Sequence, residues 1–408
     1  MFALFLSEIG FRAYYYFEHP EVFKQRGEVP AIYGLYDRSL WEFDERNGYA
    51  YPPGIKLNLT MILNGRVAGC GEVGDVNEQG NMGPSMAVHE NPDRTIAVFG
   101  DSWTAFVVDG LTWPHYLQKT LQERTGKKIN VYNFGRDGTG MIHMFRMAAD
   151  KVPELKPDLA IVAFITDDLD RDMFWRTEVT IDGELRVLTT TVPEAEPPMN
   201  KSADTFLLHR EAGRDWCERT VGRRDRVVEE IEDKYRRIIL AATDGLDPAP
   251  SLTTSRHSYL YNHIVNGSAT YFASRRYTVH QNPRLAVTDF REVPGFAETV
   301  RQVAETGVPL QLMHLAISGE LREGREYILA ENGEQLLASL ESLVGQAAAR
   351  TIDHVEIPGA VERIKIAEDN EHPSAFGMAF YAEAVANMIM ERGLLDVPRA
   401  AASRDVSQ

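Results

Sequence analysis

Short apolar runs separated by helical patterns constrain the fold of this chain more than any other feature. The first three runs cover residues 96–99, 129–134 and 159–165. The third is apolar at nearly every position, which is typical of a strand covered on both faces in a parallel sheet. Helical patterns over 113–124 and 140–155 fill the intervals between the runs. This alternation predicts βαβ units and a doubly wound α/β fold.

The alternation lapses after the third strand and resumes more than a hundred residues later. The intervening residues, about 176–295, are predicted to form a large insertion with a strand pair over 178–192 and a charged helix over 216–241. Four later elements complete the α/β pattern: a helix over 296–305, strands over 308–315 and 352–357, and a final helix over 374–392. The predicted α/β domain therefore spans residues 93–398 and contains the insertion.

An accessory segment over residues 1–92 precedes this domain, and residues 399–408 are predicted to be a disordered tail. The accessory segment includes a half-buried strand over 55–61 and a loop over 73–84. Its first six residues are apolar, which favours a helix packed on the core over the trimmed end of a peripheral or membrane anchor. The sequence contains no apolar run of about 18 residues, the length that a membrane span requires.

Charge and cysteine content narrow the possible partners. The net charge of −17 argues against nucleic acid or an anionic membrane surface as the main partner, since both require basic surfaces. The two cysteines, Cys70 and Cys217, lie far apart in the sequence. We therefore expect two separate, buried or half-buried thiols, although a single disulfide stays open.

Polar residues follow the predicted strands where each strand ends. The groups are Gly100-Asp101-Ser102, Asn133-Phe134-Gly135, Thr166-Asp167-Asp168 and, before the last helix, Asp369-Asn370-Glu371-His372. The carboxyl ends of parallel strands meet at one edge of a sheet, and ligands bind there. We therefore expect the four groups to converge on one site.

The residue types in these groups fit nucleophilic catalysis. The Ser102 hydroxyl is a weak nucleophile that needs a base, and His372 can accept its proton near neutral pH. Asp369 can accept the other imidazole N–H and fix the orientation of the ring. The backbone N–H groups of Ser102 and Gly135 can stabilise an oxyanion, and a glycine at 135 allows a substrate to approach the backbone closely.

These four groups, in this order, resemble the SGNH (GDSL-type) hydrolase superfamily. The resemblance covers about residues 94–175 and 296–393. It implies a flavodoxin-like three-layer α/β/α sandwich with a mostly parallel sheet, and ester hydrolysis by a Ser102–His372–Asp369 triad without a cofactor. The chain also looks like the subgroup with an extra amino-terminal segment, some of whose members are membrane-anchored or modify glycans.

One departure from the family pattern bears on the oxyanion site. The resemblance implies a donor set of Ser102, Gly135 and an asparagine in the third group, but Asp167 occupies the asparagine position. An ionised carboxylate there would repel an oxyanion. Asp167 must therefore be protonated, for which Asp168 would raise its pKa, or turn away, or bind a cation. A bound metal ion is not expected, because the acidic run lacks the spacing of a calcium loop.

Four further residues are candidates for substrate binding: Trp103, Arg136, Asp168 and His314. Trp103 follows the nucleophile and would wall an acyl pocket, Arg136 would contact an anionic substrate, and His314 would line the cleft from the end of the fourth strand.

The sequence as a whole predicts a serine esterase that acts on a small-molecule or glycan ester, with O-acyl and especially O-acetyl groups as the first candidates. An acyltransferase with the same triad is the alternative, because the acyl-enzyme is common to both reactions. A non-catalytic glycan-binding or scaffold protein on a degenerate hydrolase fold is a second alternative, which the carboxylate at 167 motivates.

Overall fold

The structure is a computed structural model. It describes residues 2–18, 32–36, 41–63, 66–181, 184–190, 207–208, 213–223, 226, 228, 284–317, 332–351, 363–367 and 370–396.

In the parts that are described, the amino-terminal segment consists of a helix followed by five strands. They are α1 (Phe2–Glu18), β1 (Ile32–Tyr36), β2 (Glu42–Asp44), β3 (Gly48–Ala50), β4 (Lys56–Leu63) and β5 (Arg66–Asp75). The predicted strand at 55–61 is confirmed as β4, whereas β5 includes the first residues of the predicted loop. Two large apolar side chains of α1 are exposed, Leu6 by 52% and Phe17 by 75%, so neither packs on the core. The side chains of residues 1–5 lie outside the described part, and the expected packing of that stretch stays a prediction. None of the helices in the described part of the chain combines the length and apolar character needed to cross a bilayer.

The α/β alternation begins at Arg94, as predicted. Its first elements are β6 (Arg94–Gly100), α2 (Ser102–Ala105), α3 (Trp113–Thr125), β7 (Ile129–Asn133), α4 (Met141–Leu155) and β8 (Leu159–Phe164). Every residue of β8 is buried, which confirms that the continuous apolar run marks a strand covered on both faces.

The insertion supplies β9 (Trp175–Ile181), β10 (Glu184–Thr190), β11 (Leu207–Leu208) and α5 (Arg214–Thr220). The predicted strand pair is confirmed as the antiparallel β9 and β10. The predicted helix over 216–241 is interrupted in its described part, because α5 ends at Thr220 and Gly222 adopts a positive φ of 72°, whereas Arg226 and Val228 are again helical. Most of the remaining residues of that predicted helix lie outside the described residues.

The carboxyl-terminal part completes the domain with α6 (Phe296–Glu305), β12 (Leu310–His314), α7 (Gly333–Val344), β13 (Ala349–Arg350), β14 (Lys365–Ala367), β15 (Asn370–Pro373) and α8 (Ala375–Glu391). The predicted strand at 352–357 and the predicted tail at 399–408 lie outside the described residues. The fifth strand of the central sheet is β13.

Within the described residues, the central sheet has five parallel strands in the order β13-β12-β8-β6-β7. Helices α4, α6 and α7 supply one apolar layer, and α3 and α8 supply the other. This order confirms the flavodoxin-like α/β/α sandwich. The chain runs from β6 to β7 on one side and returns to β8 on the other, so the end of β6 is the topological switch point, where ligands bind in such sheets.

A second sheet joins the amino-terminal segment to the insertion. Its strands lie in the order β5-β4-β1-β11-β10-β9, and β1 pairs in parallel with β11. A disulfide between Cys70 on β5 and Cys217 on α5 links the same two regions. The expectation of two separate thiols is therefore wrong, because the fold brings together cysteines that are 147 residues apart. Such a bond is typical of proteins that fold in an oxidising compartment.

Candidate active site

The proposed nucleophile, Ser102, is the first residue of α2, directly after β6. Asp101 caps this short helix, because its Oδ1 accepts a 2.8 Å hydrogen bond from the Trp103 N–H. Gly100 makes the turn possible, since a Cβ at this position would lie 2.8 Å from the Ala163 carbonyl oxygen. The turn thus places a hydroxyl with 8% residual exposure at the switch point of the sheet.

The proposed base, His372, lies on β15, whose pairing with β14 carries it to the same edge of the sheet. His372 Nε2 lies 2.9 Å from Ser102 Oγ, a hydrogen-bonding distance. Burial lowers the pKa of His372 below its ordinary value, although the nearby Asp101 carboxyl opposes the shift. The ring is therefore neutral at pH 7 and able to accept the serine proton. Its proposed partner, Asp369, lies outside the described residues, so this contact stays a prediction.

Two aromatic side chains enclose the His372 ring. The Trp103 indole stacks on it with 4.3 Å between centroids, and the Phe106 ring lies at 4.9 Å. We expected Trp103 to wall an acyl pocket, but its observed partner is the histidine. We did not predict a role for Phe106, and its three-residue spacing from Trp103 was the only signal in the sequence. The two rings restrict the imidazole and cover part of its surface.

Gly135 lies against the nucleophile helix, but its N–H is not free. A Cβ at Gly135 would lie 2.6 Å from the Ala105 nitrogen, so the close approach requires glycine. The Gly135 N–H donates a 2.9 Å hydrogen bond to Asn133 Oδ1, whose Nδ2 donates to the Thr104 carbonyl oxygen. This N–H would have to exchange its acceptor before it could stabilise an oxyanion.

Asp167 is held between two guanidinium groups. Its carboxylate oxygens lie 2.6 Å from Arg171 Nη2 and 2.7 Å from Arg284 Nη2. Partial burial alone would raise the pKa of Asp167, but the two arginines lower it below its ordinary value. Asp167 is therefore ionised and accepts hydrogen bonds, which argues against the protonated donor that one of our expectations required. The expectation that Asp167 binds a cation agrees with this geometry, because Arg171 and Arg284 supply the positive charges.

A buried carboxyl pair lies beneath the nucleophile turn. Arg171 Nη1 contacts Asp168 Oδ1 at 2.5 Å and Asp101 Oδ2 at 3.4 Å, and all three side chains are at most 9% exposed. Burial raises the pKa of Asp168 well above its usual range, and the adjacent Asp101 raises it further. Burial also raises the pKa of Asp101, although Arg171 opposes this shift. The pair therefore holds a proton to a higher pH than separate carboxyls would.

Two predicted substrate-binding residues are completely buried among neighbouring side chains. Asp168 is fully buried and accepts a 3.0 Å hydrogen bond from the Ile165 N–H. His314 is also fully buried, with its Nε2 3.1 Å from Thr166 Oγ1 and its ring stacked on Phe164. Their expected roles in the cleft are therefore not supported, because both side chains point into the packed end of the sheet. Arg136, the remaining candidate, lies under the amino-terminal segment beside Asn81 and Tyr51.

We compared the chain with known protein families and with solved structures. Residues 96–203 match the family described as GDSL-like Lipase/Acylhydrolase. No curated protein matches the chain significantly. A lipase/acylhydrolase from Enterococcus faecalis is 13% identical, with 73% of this chain and 96% of the other covered and a TM-score of 0.33. The SGNH-family esterase AlinE4 is 13% identical, with 74% and 98% covered and a TM-score of 0.27.

These TM-scores carry no weight for the assignment, which rests on the family match and on the observed strand order. The matched residues include the nucleophile turn, the Asn133–Gly135 loop and the Asp167 turn. The family match over residues 96–203 and the strand order of the central sheet support the SGNH (GDSL-type) hydrolase superfamily for the α/β part of this chain.

Proposed function

We propose that this protein hydrolyses carboxylic esters, with Ser102 as nucleophile and His372 as general base. The observation that carries the proposal is the 2.9 Å separation between His372 Nε2 and Ser102 Oγ. A serine and a neutral histidine in hydrogen-bond contact are the minimum that acyl transfer to a hydroxyl requires. The capped turn and the aromatic enclosure fix both groups before a substrate arrives.

The reaction follows from these positions. Ser102 Oγ attacks the ester carbonyl carbon while its proton passes to His372 Nε2. The tetrahedral intermediate collapses, the bond to the alcohol oxygen breaks, and His372 returns the proton to the departing alcohol. Water then attacks the acyl-enzyme with His372 again as base, and the carboxylic acid leaves. Asp369 is proposed to accept the Nδ1–H of His372 and to stabilise the imidazolium.

The Ser102 N–H is the proposed first donor to the oxyanion. It lies at the start of α2, and no acceptor for it is found among the described residues. The Gly135 N–H is the proposed second donor, after it exchanges its bond to Asn133. The Asp167 carboxylate supplies no hydrogen, and loss of one such donor costs about 3–4 kcal/mol in other serine hydrolases. We therefore expect slow turnover of simple esters.

For the substrate we propose an O-acyl group, with O-acetyl first, on a glycan. The support is the resemblance to glycan-modifying members of the superfamily that also carry an amino-terminal segment, and it is an analogy. A panel of O-acetylated oligosaccharides, with acetate release measured by ion chromatography, tests this class. Acetate release from p-nitrophenyl acetate but from none of the glycans would reject the proposed glycan substrate, and the proposed ester hydrolysis would still stand.

The reaction itself is tested by steady-state hydrolysis of p-nitrophenyl acetate. We expect turnover by the full chain and none above background by Ser102→Ala or His372→Ala. His115→Ala is a suitable control, because this histidine caps α3 and makes no contact with Ser102. Equal turnover by Ser102→Ala would reject the proposal.

A further inference from the structure

Arg136 carries a buried positive charge, and no carboxylate in the described part of the chain contacts it. The residue is 7% exposed, and its Nη1 donates to Asn81 Oδ1 at 3.2 Å and to the Gly135 carbonyl oxygen at 3.0 Å. Its guanidinium carbon lies 4.7 Å from the centre of the Tyr51 ring. Among the residues that the structure describes, no aspartate or glutamate forms an ion pair with it.

The other buried arginines of this region are paired. Arg171 contacts Asp168 at 2.5 Å, and Arg176 contacts Asp137 at 3.1 Å. The Asp44 carboxylate acts on Arg136 only from a distance and accepts hydrogen bonds from the backbone of its own turn. Burial lowers the pKa of Arg136, but a guanidinium stays charged in proteins. A buried charge without a partner is costly, so such a site favours an anion from outside the chain.

The unused donors of Arg136 lie on one edge of the guanidinium. Its Nε is buried and has no hydrogen-bond partner among the described residues, and no described contact uses Nη2. The N–H groups of Nε and Nη2 are parallel and match the two oxygens of a carboxylate. One unpaired positive charge matches one negative charge, which favours a carboxylate over a dianion.

The chain fixes Arg136 close to the nucleophile. Its backbone N–H donates a 2.9 Å hydrogen bond to the carbonyl oxygen of Gly100, two residues before Ser102. The Cα atoms of Arg136 and Ser102 are therefore within about 13 Å of each other. The two side chains can occupy part of this distance, so the gap between the guanidinium and Ser102 Oγ can be short enough for a small ester with a carboxylate on its acyl or alcohol part.

We propose that Arg136 binds a carboxylate of the ester substrate, so that the site selects anionic esters. This inference rests on the proposed ester hydrolysis for its role in turnover, although binding of the anion can be measured separately. Tyr51 and Asn81 of the amino-terminal segment contact the Arg136 guanidinium, so this segment contributes to the preference for anionic esters.

Matched esters test the selection. Methyl hydrogen succinate and acetoxyacetate carry a carboxylate on the acyl and on the alcohol side, and methyl butyrate and ethyl acetate are their neutral counterparts. For at least one pair we expect Arg136→Gln to lower the ratio of kcat/KM for the anionic ester to that for the neutral ester by about 10- to 100-fold, mainly through KM. Arg136→Lys, which keeps the charge and loses the fork, should lie between. Arg301→Gln, an exposed position with the same charge change, controls for net charge. Unchanged ratios in Arg136→Gln would overturn the inference.

Calorimetric titration of butyrate, a monocarboxylate, and of neutral butyramide supplies a readout without catalysis. We expect the full chain to bind butyrate, Arg136→Gln to bind it at least 10-fold more weakly, and neither protein to bind butyramide. Equal binding by both proteins, or no binding by the native chain, would contradict the proposal. If the carboxylate binds in an Arg136-dependent manner but no ester is hydrolysed, only the proposed ester hydrolysis is rejected. If esters are hydrolysed without a preference for anionic ones and no carboxylate binds, only the role of Arg136 is rejected.

Discussion

Replacement of Arg171 is the perturbation whose effect the structure specifies most closely. Arg171 is the shared counter-ion of Asp101 and Asp168, and its side chain is 9% exposed while both carboxyls are fully buried. Removal of one partner from a buried ion pair costs about 3–5 kcal/mol, because the other charge is left without compensation. We expect Arg171→Met to lower the free energy of unfolding by that amount and to lower kcat, since Asp101 caps the nucleophile turn.

Arg284→Met is the matched control. Arg284 contacts the same Asp167, but the side chains in this pair are 44% and 45% exposed. Exposed pairs contribute about 0–1 kcal/mol, so this variant should be close to the native chain in stability. Guanidinium-induced unfolding, followed by far-ultraviolet circular dichroism, measures both variants under the same conditions.

The pH dependence gives this prediction a second signature. Without Arg171 the pKa values of Asp101 and Asp168 in the folded state rise further above those in the unfolded chain. The folded state then binds more protons, and its stability falls as pH rises. The stability difference between Arg171→Met and the native chain should therefore widen from pH 5 to pH 8. A difference that does not change with pH, or an Arg171 variant as stable as the Arg284 variant, would refute the assignment of a buried carboxyl pair.

Three further predictions concern the disulfide, the aromatic enclosure and the general base. Reduction, or replacement of Cys70 and Cys217 by serine, should lower the free energy of unfolding by up to about 5 kcal/mol for a separation of 147 residues, measured by denaturant titration with and without reductant; no change would contradict the bond. Trp103→Leu should lower kcat/KM by roughly 10- to 100-fold, because His372 loses its stacking partner, and an unaltered kcat/KM would contradict the positioning role. Because burial lowers the pKa of His372, kcat/KM of the native enzyme should rise with pH, with a midpoint below 6.5, and then level off. In Trp103→Leu this midpoint should move to higher pH. A midpoint above 6.5 in the native enzyme would argue against a buried neutral base.

The central sheet and the contact between Ser102 and His372 could be predicted because both depend on local patterns. Apolar runs mark the strands, and the polar groups after them must meet where parallel strands end. The surroundings of Asp167 could be predicted only in part. Arg171 follows it by four residues and was visible in the sequence, but Arg284 is 117 residues away. No local pattern indicates that pairing.

The same limit applies to the second sheet and to the disulfide. The pairing of Leu35 with Leu207 and the bond between Cys70 and Cys217 bring together two regions that the sequence presents as separate additions. His314 was predicted to line the cleft but is buried. A polar residue at a strand end can either face the cleft or form a hydrogen bond in the interior, and His314 lies within hydrogen-bonding distance of Thr166. The strand pattern does not distinguish these orientations.

The most direct test of the account is covalent labelling of the native chain with a fluorophosphonate, followed by peptide mass spectrometry. The account predicts one adduct on Ser102, at a rate that falls strongly in His372→Ala because the 2.9 Å contact supplies the base. Absence of an adduct on Ser102, or labelling of Ser102→Ala to the same extent, would contradict it.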